Sequence, residues 1–268
     1  MIDEKLIEEI LENLEKPNNT QFETGFEDLD AILKLNNNEG AVITIGGRPA
    51  MGKTTLILSV LEKFMKQKKK VLLFSLETSA KNILQRLLFQ NAEISSEKLH
   101  TKNLLVKDWD KLIDSQKEMK NWDLTIIDKS GITVEQIEEK IKANKPEFVF
   151  IDYFQLIETQ TEQDRVSQID SIMRNLKRIA QENKIMIFIT SQLSRAIEAR
   201  EDKRPMLTDL RESSAIENVS DLVIFIYRQD YYGIENPNGK SEIIIAKNRF
   251  GKTATINMYF NQAIPKFY

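Results

Sequence analysis

At 268 residues the chain has the length of one large α/β domain or two small ones, with 41% hydrophobic and 29% charged residues and a formal net charge of -3. That balance excludes a broadly basic nucleic-acid-coating protein, and no apolar run reaches the roughly 18 residues of a membrane span. Cysteine is absent and His100 is the single histidine, which excludes disulfides and thiolate metal sites, leaves histidine-built centres little to work with, and suits a reducing, cytoplasmic setting.

The first predicted element is an amphipathic helix over residues 2–16, where Ile2, Leu6, Ile10 and Leu14 recur every four positions with Ile7 and Leu11 beside them. Its acidic, interrupted composition does not fit a signal peptide. Pro17-Asn18-Asn19 stops it. We therefore divide the chain into a helix and linker over 1–19 and one main domain over 20–268. The apolar stripe of that helix needs a partner outside its own surface.

From about residue 20 strands and helices alternate. Strands are expected at 41–46, 71–76, 124–127, 147–152, 185–190, 222–227, 242–247 and 254–260, with helical periodicity at 53–66, 79–91, 133–143 and 165–183. Most of the early strands are continuous apolar runs, such as Val71-Leu72-Leu73-Phe74 and Phe148-Val149-Phe150-Ile151. Burial on both faces follows, and with it a mostly parallel, twisted sheet flanked by helices. The last two strands flank Asn248-Arg249-Phe250-Gly251-Lys252 and predict a C-terminal β-hairpin. Two long polar stretches, 158–168 and 195–221, interrupt this core, and stretches of that length in a compact domain are usually functional or disordered.

Gly47-Arg48-Pro49-Ala50-Met51-Gly52-Lys53-Thr54 fits the phosphate-binding pattern G-x-x-x-x-G-K-[ST] in full, and Thr55 follows it into a helix. The glycines let the backbone curl so that several N–H groups face a phosphate. Lys53 can reach the β- and γ-phosphates, and Thr54 can offer a hydroxyl to Mg²⁺. The pattern lies between an apolar strand and a helix, as its chemistry requires, and predicts ATP and Mg²⁺ as ligands.

Three further residues stand at strand ends. Asp152 closes Phe148–Ile151, Glu77 follows Val71–Leu76, and Gln192 follows Ile185–Ser191. In a parallel sheet the carboxyl ends of the strands share one edge, the edge that holds the phosphate loop. Asp152 is therefore expected to hold the Mg²⁺ water, Glu77 to orient and deprotonate an attacking water, and Gln192 to sense the γ-phosphate. Asp128 also ends a strand, but Ser130-Gly131-Ile132-Thr133 after it favours a cap or turn.

Seven segments together resemble the motor domain of DnaB-type replicative DNA helicases. They are Gly-Arg-Pro-Ala-Met-Gly-Lys-Thr-Thr at 47–55, Phe-Ser-Leu-Glu-Thr-Ser at 74–79, Ile-Asp-Tyr-Phe-Gln-Leu-Ile at 151–157 and Ser-Gln-Leu-Ser-Arg at 191–195. The series continues with Asp-Lys-Arg-Pro-Met-Leu-Thr-Asp-Leu-Arg-Glu-Ser at 202–213, Tyr-Arg-Gln-Asp-Tyr-Tyr at 227–232 and Ala-Lys-Asn-Arg-Phe-Gly at 246–251. The resemblance runs over about residues 22–268 and implies a RecA-like P-loop core. It further implies a hexameric homo-oligomeric ring that hydrolyses ATP between subunits and draws single-stranded DNA through its centre, with a primase or helicase loader as further partners. By position, Lys53 and Thr54 would bind nucleotide and Mg²⁺, Glu77 would be the catalytic base, and Lys247 and Arg249 would reach a neighbour's γ-phosphate. Arg211 and Glu212 would begin the loop that holds the DNA backbone, with Ser214 where the family typically has glycine. Arg195 and Arg204 would belong to the same pore element. The helix over 2–16 would be the linker helix that docks on an adjacent subunit. The other reading is a RecA-like, DNA-dependent ATPase that does not unwind, such as a RadA-like or KaiC-like protein or a replication accessory factor.

Overall fold

The computed structural model describes residues 23–33, 39–159, 164–210, 214–236 and 238–268. The expected helix over 2–16 and the boundary at 19/20 lie outside these residues.

The apolar runs become strands β1 (Ala41–Gly47), β2 (Val71–Ser75), β3 (Leu124–Ile127), β4 (Phe148–Asp152), β5 (Met186–Gln192), β6 (Leu222–Arg228), β7 (Lys240–Asn248), β8 (Ala254–Asn261) and β9 (Lys266–Phe267). They form a single sheet in the order β3-β2-β4-β5-β1-β6-β7-β8-β9. The six strands from β3 to β6 are parallel, and β7, β8 and β9 add antiparallel. β1, β2, β4 and β6 are buried along their whole length, as expected for strands covered on both faces. β7 and β8 alternate buried and less buried residues, the signature of a sheet face meeting solvent.

The helices are α1 (Glu27–Leu33), α2 (Lys53–Lys66), α3 (Ala80–Asn91), α4 (Ser96–Thr101), α5 (Val106–Met119), α6 (Val134–Asn144), α7 (Arg165–Asn183) and α8 (Ser214–Val219). One core lies between the sheet and α2 with α3, where Phe64 packs on Phe148 at 4.5 Å between ring centroids. The other lies between the opposite face and α6 with α7. Among the described residues no helix is long and apolar enough to cross a membrane.

The expected strands and the terminal hairpin are present. The periodicity did not disclose α5, whose Val106, Trp109 and Ile113 face outward, exposed to 81%, 55% and 47%, while Leu112 packs inward. These four apolar positions do follow helical spacing, but they are sparse among charged residues and most of them face solvent. β9 is two residues long, too short for any period.

Candidate nucleotide site

β1 lies between β5 and β6 in the middle of the sheet and ends at Gly47, level with Gln192 at the end of β5. The chain then curls through Arg48–Gly52 into α2. Gly52 has φ +107°, a conformation that disfavours any side chain, and a Cβ there would approach the Phe267 ring to 3.3 Å. Gly52 caps α2 without a side-chain hydrogen bond, so the first-turn N–H groups stay available for an anion.

Lys53 is held by two carbonyls of the same loop: its Nζ donates to Gly47 O at 2.9 Å and to Arg48 O at 3.1 Å. Burial pushes its ammonium down to about 8, although the Asp152 and Glu77 carboxylates act in the opposite direction. Asp152 ends β4 and is buried. Its Oδ2 accepts from the Thr54 hydroxyl at 2.6 Å, and its Oδ1 accepts from the Thr190 hydroxyl of β5. Two adjacent strands and the first turn of α2 thus fix one carboxylate.

A cavity of about 220 Å³ is lined by these residues, with Glu77 and Gln192 also on its wall. The structure therefore brings Lys53, Thr54, Thr55, Glu77, Asp152 and Gln192 together from four segments, with Pro49, Ala50 and Gly52 completing the loop. Arg86 of α3 and Tyr153 also line the cavity. Sequence reasoning missed both as site residues, because a helical arginine carries no local mark and Tyr153 is one more aromatic after an acid. Burial, then the Glu77 and Asp152 charges, push the Tyr153 hydroxyl up. A second cavity of about 540 Å³ shares Thr55 and Arg86 with the first and continues along Leu58, Phe89, His100 and Pro265.

Three loop residues behave differently. Arg48 points away from the cavity and pairs with Glu198, Nε to Oε1 at 2.8 Å, while its NH1 donates to Leu193 O. Met51 is a core residue, and Gly47 is the buried strand end. Asp128 is a cap, as expected, but of α3, accepting from Ala80 N at 2.7 Å; Thr133 caps α6.

The residues expected at a subunit or DNA interface do not line the cavity. Lys247 Nζ donates to the carbonyls of Glu217 and Asn218, and Arg249 donates to Asn218 O and pairs with Asp221 at 3.1 Å. Both side chains thus meet the C-terminal end of α8, where the helix dipole favours cations. Arg195 is exposed in a short 3-10 turn, Arg195–Ala199. Arg204 is engaged by a two-pronged pair with Glu242, at 2.7 Å on each prong, and lies over the Tyr227 ring. Ser214 opens α8 and is exposed. Arg211 and Glu212 lie outside the described residues.

The Mg²⁺ expectation can be tested on donor chemistry. Among the described residues no cluster of three or more His, Asp or Glu side chains could hold a metal. The Thr54 hydroxyl and one Asp152 carboxylate oxygen lie within 2.6 Å of each other on the cavity wall. One carboxylate and one hydroxyl, completed by phosphate oxygens and water, is the donor set Mg²⁺ takes in nucleotide sites. The residues fit the ion.

The profile of the DnaB-like helicase C terminal domain family matches residues 22–268. The chain is similar to the replicative DNA helicase DnaC of Bacillus subtilis (strain 168), 37% identical over 257 residues, covering 92% of this chain and 56% of that protein. It is 36% identical over 256 residues to the replicative DNA helicase DnaB of Geobacillus stearothermophilus, again covering 92% and 56%. The chain thus spans about half the length of these relatives. Among solved structures, the ATPase domain of G40P superposes with a TM-score of 0.91 at 34% identity, covering 100% of this chain and 98% of that one. A DnaB-like replicative helicase, described with its interactions with primase, superposes with a TM-score of 0.93 at 34% identity, covering 100% and 68%.

Proposed function

The chain belongs to the DnaB-like helicase C-terminal domain family, and on that premise we propose that it is an ATP-hydrolysing motor of a replicative DNA helicase. The observation that carries this reading is the meeting of Lys53, Thr54, Glu77 and Asp152 on one cavity at the carboxyl edge of a parallel sheet. The first-turn amides of α2 and the Lys53 ammonium would bind the β- and γ-phosphates of ATP. Thr54 and Asp152 would hold Mg²⁺, which when bound offsets phosphate charge. Glu77, exposed at the cavity mouth, would orient a water and take its proton. Gln192 would hydrogen-bond the γ-phosphate. The second cavity, reached past Thr55 and Arg86, would take the ribose and base.

Lys247 and Arg249 would act on the site of a neighbouring subunit in a homo-oligomeric, hexameric ring. Arg211, Glu212 and Ser214, with Arg195 nearby, would face single-stranded DNA. The apolar stripe of residues 2–14 would dock on an adjacent copy. A groove of about 590 Å³ between α3 and α5, lined by Leu84, Leu88, Met119 and Trp122, supports that reading. A primase or a helicase loader would be a further partner.

The test is ATP hydrolysis with and without single-stranded DNA, run beside particle imaging for rings. Hydrolysis that ignores DNA, from particles that never close into rings, would remove the motor reading. A RecA-like ATPase without unwinding is the second reading. A duplex-unwinding assay separates the two.

A further inference from the structure

Arg48 is the second residue of the phosphate loop, yet its side chain leaves the cavity. It is 12% exposed and makes two contacts to one distant segment: Nε to Glu198 Oε1 at 2.8 Å, and NH1 to Leu193 O at 3.0 Å. A charged pair this well covered on the arginine side loses less to solvent than an open surface pair. The same residue also faces the nucleotide chemistry through its backbone, because its carbonyl accepts from Lys53 Nζ at 3.1 Å. A phosphate competes for that ammonium. The peptide unit that answers to Lys53 is therefore the one that aims Arg48 at Glu198.

The segment at the other end is tied together by its own contacts. Leu193 and Leu210 pair across its base, and Ser194 N donates to Asp209 O at 2.8 Å. Arg200 closes the interior with a fork onto Asp209 at 3.1 and 2.8 Å, and Met206 N donates to the same carboxylate. Asp209 and Ile197 are buried. A shift applied at Glu198 is therefore carried to the base rather than absorbed in a loose loop. The base follows directly on Gln192, which is on the cavity wall.

The surroundings of the pair also hold a polar group with no partner. The Tyr232 hydroxyl is buried and makes no hydrogen bond among the described residues. The charges of Glu198 and Arg48 both act on it. A buried hydroxyl without a partner is costly to keep unless another arrangement uses it. Glu198 is the nearby acceptor that would gain that donor when Arg48 withdraws.

We propose that Glu198, through its exchangeable ion pair with Arg48, is the positioning residue that ties the phosphate loop to the 193–210 segment. The link itself rests only on the loop geometry; its consequence for DNA rests on the function proposed above.

The experiment uses hydrogen exchange on the full chain, with and without AMP-PNP and Mg²⁺, for wild type and Glu198→Gln. In wild type the amides of the 194–210 segment should change protection by about five-fold or more on nucleotide binding, the lower range of measured couplings between sites. Glu198→Gln should bind AMP-PNP and hydrolyse ATP as wild type does without DNA, while the segment no longer responds. Stimulation of its ATPase by an oligo-dT strand should fall about five-fold. Glu198→Asp, which keeps the charge on a shorter arm, should recover part of both. A segment that responds in Glu198→Gln as in wild type, or that does not respond in wild type, overturns the proposal. A response lost in Glu198→Gln from a wild-type chain that oligo-dT never stimulates upholds the link and removes the DNA reading instead.

Discussion

Raising the pH through about 8 should weaken nucleotide binding by about ten-fold for each further pH unit. The perturbed group is Lys53, whose ammonium ordinarily titrates at 10.5 and is pushed down to about 8 by burial against the cavity wall. That gap corresponds to on the order of 3 kcal/mol against the charged form. A polyphosphate brings negative charge into contact with Nζ and restores the proton, so binding takes up a proton wherever the free protein has lost it. Below about 8 free and bound forms are both protonated, and affinity from this group is flat. Above it, affinity falls until the pKa of the bound state is reached. The terminal phosphate of the nucleotide ionises near about pH 6, outside this window. Folding stability runs the other way: the folded form carries the lower pKa, so neutralising Lys53 relieves its desolvation and stability from this group rises between about 8 and 10.5. The assay is a calorimetric titration with ADP and Mg²⁺ at fixed ionic strength, in buffers of differing ionisation enthalpy, from neutral pH to about 9.5. Uptake of about one proton should appear at the upper end. Affinity that stays flat to that pH, with no proton uptake, would refute the reasoning that Lys53 is half-charged in the free site.

Glu77→Gln should bind ATP as wild type does and hydrolyse it about 10²- to 10⁴-fold more slowly, because water activation is lost while the phosphate cradle is intact; single-turnover kinetics checks it. Arg249→Ala and Lys53→Ala should each be inactive alone, yet regain ATPase activity when mixed, since an intact loop on one subunit can then meet an intact Arg249 on its neighbour. No recovery at any mixing ratio, with subunit exchange confirmed, would count against Arg249 acting across an interface. Deleting residues 1–18 should lower the oligomeric state in sedimentation, and Leu84→Glu, which charges the α3–α5 groove, should do the same without loss of helix content in circular dichroism.

Much of the candidate site was legible before any fold was known. Gly52 and Lys53 announce themselves because the loop they form is local: positive φ, an uncapped helix start and a long amine are set by residues adjacent in sequence. Glu77, Asp152 and Gln192 could be gathered by one rule, that parallel strands bring their carboxyl ends to the same edge. Arg86 could not, since its place on the cavity depends on how α3 lies against α2. Nor could the outward turn of Arg48, whose partner Glu198 is 150 residues away. Arg204, expected near DNA, meets Glu242 and Tyr227 because the 193–210 segment packs beside β6 and β7.

The hydrophobic periods by themselves determined that this chain makes a mostly parallel sheet with a terminal hairpin, because burial on one or two faces leaves its mark on every second or every residue of a strand. Only the tertiary structure decided which strands are neighbours and what holds the ends. Lys266 of β9 donates to buried Glu62 in α2, 204 residues away, and Phe267 N donates to Ser59 Oγ while its ring covers Gly52. Each of these contacts joins residues whose local context says nothing of the other. A buried carboxylate is tolerated only with a partner, and which lysine supplies it depends on the sheet order that brings β9 back over α2.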